Sequence, residues 1–488
     1  MNFRKEMVMS RAGKGSIWKL AQAVVIAWAL LPGEGTVHAQ NPWEAMYNIR
    51  IENVTVAPRD GRTAAVRFDI AWQNSWRDKT NHDAVWVFFK VRAEGKADWQ
   101  HARLAADKVL DPTGYGHKEG GTRLGFIVPA GEGGFTGMFV RRAEDGEGAA
   151  ATRGVTAVWD LAANKGITKD TNVSIRAFGI QMVYVAEGPF HLGSGGAELN
   201  GFYQYTDGSQ ATLPYRVTSA GAIPTGRRKG RLWVRMRKGD MPVDGGEIPS
   251  QFPNGYAAFY CMKYAITCVQ YTGFLNTLPS VEAEARFPGT RRYGGMITRS
   301  GGPPDYTYSA NEGGGRNQGP GVHGLSWADG AAFAAWAALR PMTELELEKA
   351  LRGPRKPAPD EVGSSYWHVG GFDTWDWHAF KGASHSERAV TVGNAKGRSF
   401  RGTHGRGTTA LPADWPQDDA VGAGMRCSWY TPSYPRDAKP YPRGVTFIGL
   451  DLPRTRTSDR LHAALVDPHR HPHHKWRGVR TAPKEAAK

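Results

Sequence analysis

The sequence predicts a loop-rich α+β fold, in which an all-β region precedes a region with a few short helices. The chain of 488 residues contains 61 glycines and 17 tryptophans, which favours β-rich and loop-rich architectures over helical bundles. Short runs that alternate between apolar and polar residues recur between residues 41 and 180, as expected for half-buried strands. Clear helix start and stop signals are concentrated in residues 322–353.

The first 39 residues are predicted to be a cleaved secretory signal peptide. Basic residues precede a 12-residue apolar stretch at 20–31, and Val37, His38 and Ala39 form an A-x-A-like cleavage site. A bilayer-spanning helix needs about 20 apolar residues, so cleavage is favoured over the alternative of an uncleaved anchor. We therefore expect a secreted, periplasmic or cell-surface protein with no membrane span.

Residues 41–180 are predicted to form an all-β domain. Asp60 and Gly61 give a turn signal between the first two strands. Seven strands in a region of this length are typical of a β-sandwich of immunoglobulin-like type. The predicted strands are 47–56, 63–72, 83–93, 122–129, 135–142, 154–161 and 171–185.

Residues 322–353 are predicted to form two consecutive helices. Ser326 can cap the first helix, which is expected to end at residues 340–342 because Pro341 disfavours helical geometry in the residue before it. Thr343 and Glu346 form a capping box that starts the second helix.

The same stretch carries a long, ordered series of residues. The series is Ser326, Trp327, Asp329, Phe333, Trp336, Ala337, Arg340, Thr343, Glu344, Glu346, Glu348, Lys349, Ala350, Arg352 and Gly353. It resembles the pattern SW-x-D-A-x-x-Y/F-x-x-W-A-x-x-R followed by PTE-x-E-x-E-x-A-x-RG of the formylglycine-generating enzyme (sulfatase-modifying factor) family. This resemblance implies a C-type-lectin-like fold with little regular secondary structure.

Further stretches resemble other motifs of this family, from its opening strand pair to its closing segment. The resemblance implies that residues 181–482 form the family's domain and that 483–488 are a disordered end. The matching stretches are 182–185, 188–194, 259–267, 424–429, 458–460 and 476–480.

The family's chemistry depends on two cysteines that bind copper(I), activate oxygen and convert a substrate cysteine to formylglycine. The resemblance places these cysteines near Thr431 and Arg436, and neither position is a cysteine. One thiol, Cys427, cannot form the two-thiolate site that copper(I) prefers. We therefore expect a non-catalytic binding or scaffold role. The alternative is an active formylglycine-generating or related metal-dependent oxidoreductase acting on an exported cysteine-containing substrate, in which Cys261 and Cys268 supply the thiolates and copper is retained.

Two candidate sites also follow from the resemblance. A counterpart of the family's calcium-associated motif contains Asp373 and Asp376, which could bind calcium. Calcium takes six to eight oxygens, so two carboxylates alone are incomplete and a structural role for this segment is the alternative. Arg426, Trp429 and Tyr430 could bind a cell-surface glycan or an exported protein. A purely structural part in a surface complex is a third possibility.

Charge and cysteine content leave several alternatives open. The net charge of +16 and the basic run at residues 227–238 fit an anionic ligand, but simple solubility and a solvated loop explain them equally well. Three cysteines allow at most one disulfide, and the pairing among Cys261, Cys268 and Cys427 stays open, as do three free thiols.

Other chemistries lack sequence support. No nucleic-acid-binding role is predicted, and no H-E-x-x-H, G-x-S-x-G or phosphate-loop motif is present. The helical domain that carries iron ligands in another branch of the family has no counterpart. His378, His385 and His404 with Glu387 could form an acid–base cluster, but a structural or solvent-exposed role is the preferred interpretation. The oligomeric state is not predicted.

Overall fold

The computed structural model describes most of the chain between residues 49 and 484. Arg235, Ser386 and residues 423–427 are described by their backbone alone. The described residues are 49–105, 121–196, 198, 200–207, 213–235, 246–289, 297–310, 321–322, 324–359, 361, 366–367, 386–417, 423–427, 456–464, 466–470 and 474–484.

Strands dominate the described residues, and each of the seven predicted runs contains a strand. The strands are β1 (Arg50–Pro58), β2 (Thr63–Arg77), β3 (Asp83–Ala93), β4 (Gln100–His101), β5 (Leu124–Ile127), β6 (Met138–Arg142), β7 (Gly146–Asp160), β8 (Val173–Val185), β9 (Phe190–Leu192), β10 (Gly201–Gln204), β11 (Tyr215–Val217), β12 (Ile223–Pro224), β13 (Leu232–Arg235), β14 (Glu247–Ile248), β15 (Phe259–Met262), β16 (Ile297–Ser300), β17 (Thr307–Ala310), β18 (Arg340–Pro341), β19 (Ser386–Val390), β20 (Ala423–Cys427), β21 (His474–Lys475) and β22 (Gly478–Thr481).

The helices are short, so the predicted α+β class is confirmed at the level of a β-rich fold with few helices. Among the described residues, no helix has the length and apolar character needed to cross a membrane. The helices are α1 (Cys268–Leu275), α2 (Ser280–Arg286), α3 (Trp327–Trp336), α4 (Glu344–Arg352) and α5 (Ala395–Arg398), with a 3-10 turn at Leu161–Ala163.

Capping boxes start α1, α3 and α4. The hydroxyl of Ser326 accepts a hydrogen bond from the backbone N–H of Asp329, whose carboxylate accepts one from Ser326 N–H. Thr343 and Glu346 make the same pair of bonds at α4, which confirms the predicted capping box.

The predicted end of the first helix is wrong. Helix α3 ends at Trp336, and Ala338 then adopts a left-handed φ of +57°. Arg340 and Pro341 are extended and pair with Val479 and Gly478 of β22. A partner strand about 140 residues away along the sequence therefore sets this helix end, together with the local proline.

An antiparallel eight-stranded sheet forms the centre of the molecule. Its order is β18-β22-β15-β8-β3-β6-β5, and β4 pairs with β3 beyond the end of β6. A three-stranded antiparallel sheet, β1-β2-β7, packs on one face of it, and Phe68 meets Phe89 edge-on between the two sheets with ring centroids 5.6 Å apart. Helices α1 and α3 cover part of the other face, whereas α4 packs against Val183, Val185 and Cys261 of the large sheet.

Strand β3 is buried on both faces, which explains its nearly continuous apolar sequence. Val85, Val87 and Phe89 enter the core beneath the three-stranded sheet. Trp86 and Phe88 enter the core that contains helices α1 and α3. Alternate side chains of β3 therefore pack into the cores on the two faces of the sheet.

The predicted domain boundary at residue 180 lies inside strand β8. This strand pairs with β3 along most of its length, and its last four residues also pair with β15. The two predicted domains thus share one sheet and one core. Alternation along a strand shows which face is buried, but it does not show where the partner strand changes.

Candidate functional site

The residues predicted to bind calcium or a glycan lie largely outside the described part of the chain. Asp373, Asp376, Trp429 and Tyr430 are not among the described residues. Arg426 lies in strand β20 opposite Glu387 of β19, and only its backbone is described. These assignments therefore stay predictions.

The two cysteines whose side chains are described are free and buried in separate cores. Cys261 lies in β15 among Val183, Val185 and Leu347, whereas Cys268 starts helix α1 in the core on the other face of the sheet. Burial raises the pKa of both thiols to about 12. Neither is a thiolate near neutral pH, and a thiolate is the form that binds metals.

Groups of three or more histidine, cysteine, aspartate or glutamate side chains placed to hold a metal ion do not occur among the described residues. Positions 431 and 436, where the resemblance places the copper ligands, lie outside those residues.

Helix α4 carries three buried glutamates, each paired with an arginine. Glu344 is bound through both oxygens by Arg460, and Glu346 is bound in the same way by Arg340. Glu348 pairs with Arg352 one turn later at 3.2 Å. All six side chains are almost completely buried, so these pairs belong to the interior of the protein.

These ion pairs hold distant segments together. The Glu344 carboxylate also accepts hydrogen bonds from Thr391 Oγ1 and Val392 N–H, so one side chain joins α4 to residues 391–392 and to Arg460. Glu348 accepts a hydrogen bond from Gly193 N–H beyond strand β9. Helix α4 thus anchors Gly193, residues 391–392 and Arg460 through its buried carboxylates.

The imagined acid–base cluster is not assembled by the described residues. His404 Nε2 accepts a hydrogen bond from Thr481 N–H, and Glu387 forms a buried ion pair with Arg477 at 2.6 Å. Burial, with Arg480 and Arg340 nearby, lowers the pKa of His404 well below its usual value. His378 and His385 are outside the described residues.

A cleft that the sequence did not predict lies between β3–β4, the α1–α2 connection and the turn at 405–409. Its volume is about 400 Å³. The lining residues are Lys90, Asp98, Trp99, Gln100, His101, Arg103, Ala163, Asn164, Thr277, Leu278, Pro279, Glu282, Trp336, Gly407, Thr408 and Thr409.

Lys90 is a buried lysine at the inner end of this cleft. Its ammonium group donates hydrogen bonds to the carbonyls of Trp336 and Gly407, at 2.9 and 2.6 Å, and lies 4.7 Å from the Trp336 ring centroid. Burial lowers the pKa of Lys90 well below its usual value, and nearby Arg103 lowers it further. The two carbonyls hold the amine in place, which suits an electrostatic role better than a nucleophilic one.

His101 and Arg103 each have a buried polar atom without a partner. His101 donates from Nε2 to the carbonyl of Thr136, which leaves Nδ1 as an unpaired acceptor. Arg103 donates from one terminal nitrogen to the carbonyl of Arg406, while Nη1 has no partner. Thr136 Oγ1 is unpaired as well. Buried polar atoms are normally satisfied, so each of these requires an explanation.

Three basic side chains lie around His101 beside the cleft. Lys90, Arg103 and Arg480 all depress the pKa of His101, after burial as the largest cause. None of these three side chains contacts a carboxylate among the described residues. The acids nearby are at the rim: Asp98 is exposed, and Glu282 is paired with Arg286.

One sequence signal could have indicated this cleft. Lys90 interrupts the apolar run of β3, and a charged side chain in a strand buried on both faces has to find polar partners inside the protein. The other lining residues come from segments far apart in the sequence, so no local pattern groups them.

No family model matches this chain, and no curated protein is significantly similar to it in sequence. The resemblance in residues 322–353 therefore depends on the residues of this chain alone.

Proposed function

We propose that the protein is an exported, formylglycine-generating-enzyme-like protein that binds or scaffolds and does not catalyse the family's oxidation. In this proposal residues 1–39 direct export, residues 41–180 correspond to the immunoglobulin-like sandwich, and residues 181–482 to the C-type-lectin-like domain. Secretion to the periplasm or cell surface is part of the proposal.

Several features support the family part of this proposal. The motif residues Ser326, Thr343 and Glu346 make the two capping boxes. Other motif residues, Glu344 and Arg340, make the buried ion pairs that fix the following loops. The motif residues therefore stabilise the fold through contacts that do not involve the copper ligands.

The observation that carries the non-catalytic part is the placement of the thiols. The positions aligned with the copper ligands, Thr431 and Arg436, are not cysteines. Cys261 and Cys268 lie in separate cores on opposite faces of the sheet, and burial raises the pKa of both to about 12. Bringing them together as copper thiolates would require unpacking strand β15 and helix α1, which opposes the oxidoreductase alternative.

A copper(I) titration tests this proposal. The purified mature protein competes with bicinchoninate for copper(I) under anaerobic conditions. We expect no protein site that removes one equivalent of copper from the chelator, because buried neutral thiols are poor ligands. Cys427→Ser is expected to behave as the parent protein.

The contrary result is equally clear. In that result the chain retains one copper that is lost in Cys261→Ser, Cys268→Ser or Cys427→Ser. Such retention would support a copper-dependent enzyme and contradict the proposal. The variants also identify which thiol contributes.

A further inference from the structure

We infer that the turn at residues 226–231 is a binding surface for an acidic polysaccharide, which it holds through the carboxylate or sulfate groups of the sugar chain. The turn joins β12 to β13 and belongs to the basic run that the sequence contains at 227–238. Residues 236–238 of that run lie outside the described residues. The choice of a polysaccharide rests in part on the proposed export of the protein, whereas the binding of a polyanion does not.

Four basic side chains of this turn have no acidic partner in the part of the chain that the structure describes. They are Arg227, Arg228, Lys229 and Arg231, of which the first three are exposed. The guanidinium of Arg231 donates to the carbonyl of Thr225, and none of the four forms an ion pair with a described carboxylate. Asp207 and Glu247 on neighbouring segments are exposed and pair with none of them. The four cations therefore create a local positive potential that attracts a polyanion.

Backbone hydrogen bonds hold this turn in a fixed conformation. Arg231 N–H donates to the carbonyl of Arg228 at 3.0 Å. Gly230 N–H donates to the carbonyl of Tyr205 at 2.9 Å, and Tyr205 N–H donates to that of Arg231 at 2.8 Å. Gly230 has a φ of +84°, in the left-handed region that glycine adopts without strain. The cations therefore keep their positions on the surface, and a ligand need not order the turn when it binds.

The tryptophan beside the turn is already covered, which favours a ligand held by its charges. Trp233 is 4% exposed, and the guanidinium of Arg227 lies over its ring, 5.4 Å from the centroid. Single-stranded nucleic acids gain affinity when bases stack on open aromatic rings, and Trp233 offers no such surface. Residues 226–231 carry no apolar side chain that could enter a bilayer. An acidic polysaccharide is held through anionic groups, which guanidinium groups bind well.

Fluorescence anisotropy with labelled polysaccharides tests the inference. The probes are polygalacturonate, dextran sulfate and unmodified dextran of matched chain length. We expect both acidic probes to bind the mature protein at least about tenfold more tightly than dextran, because only they pair with the cations of the turn. Added salt should weaken their binding, because a bound polyanion releases its counterions.

Matched double variants separate the turn from the overall charge. Arg228→Gln with Lys229→Gln removes two exposed cations that have no side-chain hydrogen bond or ion pair among the described residues, so the fold is expected to stay intact. This variant should bind the acidic probes about fivefold or more weakly and lower the salt dependence by about 1–2 counterions. Arg50→Gln with Arg153→Gln removes the same charge from the outer three-stranded sheet and should change the affinity by less than about twofold.

Three results would contradict the inference. The first is that neither acidic polysaccharide binds the parent protein more tightly than dextran. Equal weakening in the two double variants would attribute binding to net charge and not to the turn. Tighter binding of oligodeoxythymidine or of phosphatidylglycerol vesicles than of either polysaccharide would assign the turn to a nucleic acid or a membrane. Cleavage after Ala39, read by mass spectrometry of the exported protein, tests export separately, so a failure of export is distinguished from a failure of binding.

Discussion

Replacing Glu344 by alanine is expected to lower the free energy of unfolding by about 3–5 kcal/mol, because it removes one member of a buried ion pair. Arg460 would keep its charge, is 1% exposed and loses both carboxylate oxygens. Thr391 Oγ1 and Val392 N–H would lose their acceptor in the same step. This loss of stability includes the penalty of leaving the Arg460 guanidinium buried without a counter-charge. It therefore exceeds the net contribution of the intact ion pair to the free energy of unfolding.

Urea unfolding at pH 7.5, followed by tryptophan fluorescence, measures this effect. The control is Glu144→Ala, which breaks an exposed ion pair with Arg123 and is expected to cost less than about 1 kcal/mol. Equal costs for the two variants would show that the Glu344–Arg460 pair does not stabilise the interior as described.

Acidification from pH 6 to pH 5 is expected to remove roughly 3 kcal/mol from the free energy of unfolding, through three buried neutral histidines. Burial is the largest cause of a lowered pKa in His82, His101 and His404, and that of His82 falls to about 3. Arg141 and Arg77 face His82 and lower its pKa further.

The free energy of unfolding falls on acidification because the unfolded chain takes up protons. The unfolded chain binds protons at these histidines as the pH falls below about 6.5, whereas the folded chain does not. Stability is therefore complete above about pH 6.5 and is lost progressively down to about pH 3. His82 Nε2 already accepts from Arg141 and contacts Tyr260 OH at 3.0 Å, so a proton there would face a guanidinium.

Urea unfolding at pH 7.5, 6 and 5 tests this dependence. His82→Gln keeps an acceptor for Arg141 without a titrating group, and its acid loss should be about one third smaller than that of the parent. The exposed His469 serves as the control, and His469→Ala should lose as much free energy of unfolding between pH 6 and pH 5 as the parent protein does. If His82→Gln lost as much free energy of unfolding on acidification as the parent protein, the proposed role of the buried histidines would be contradicted.

Local signals predicted local structure well in this chain. The sequence predicts Ser326 and Thr343 as helix caps because capping depends on residues three positions apart. Strand β3 begins and ends at the predicted residues because its apolar run is long and flanked by polar residues.

Sequence patterns do not predict the pairing of residues that lie far apart along the chain. The end of α3 depends on pairing between Arg340 and Val479, and the sharing of β8 between two regions depends on β15. No spacing rule connects such positions. The sequence motif contains Glu344, Glu346 and Arg340, but the pairing of these glutamates with Arg460 and Arg340 emerges only from the fold.

The same limit applies to the site. The cleft combines residues 98–103, 277–282 and 405–409, which no motif links. The sites that the sequence predicts include Trp429 and Asp373, which lie outside the described residues. Lys90 within an apolar strand is a local indication of an internal polar site.

Oxygen consumption is the measurement that tests the central claim most directly. The protein is supplied with copper, a reductant and a peptide carrying the sulfatase cysteine motif, in an oxygen-electrode cell, and the peptide is then weighed by mass spectrometry. We predict no oxygen uptake above the copper blank and no formylglycine product. Copper-dependent uptake with conversion of the peptide cysteine would contradict the account and make this protein an oxidase.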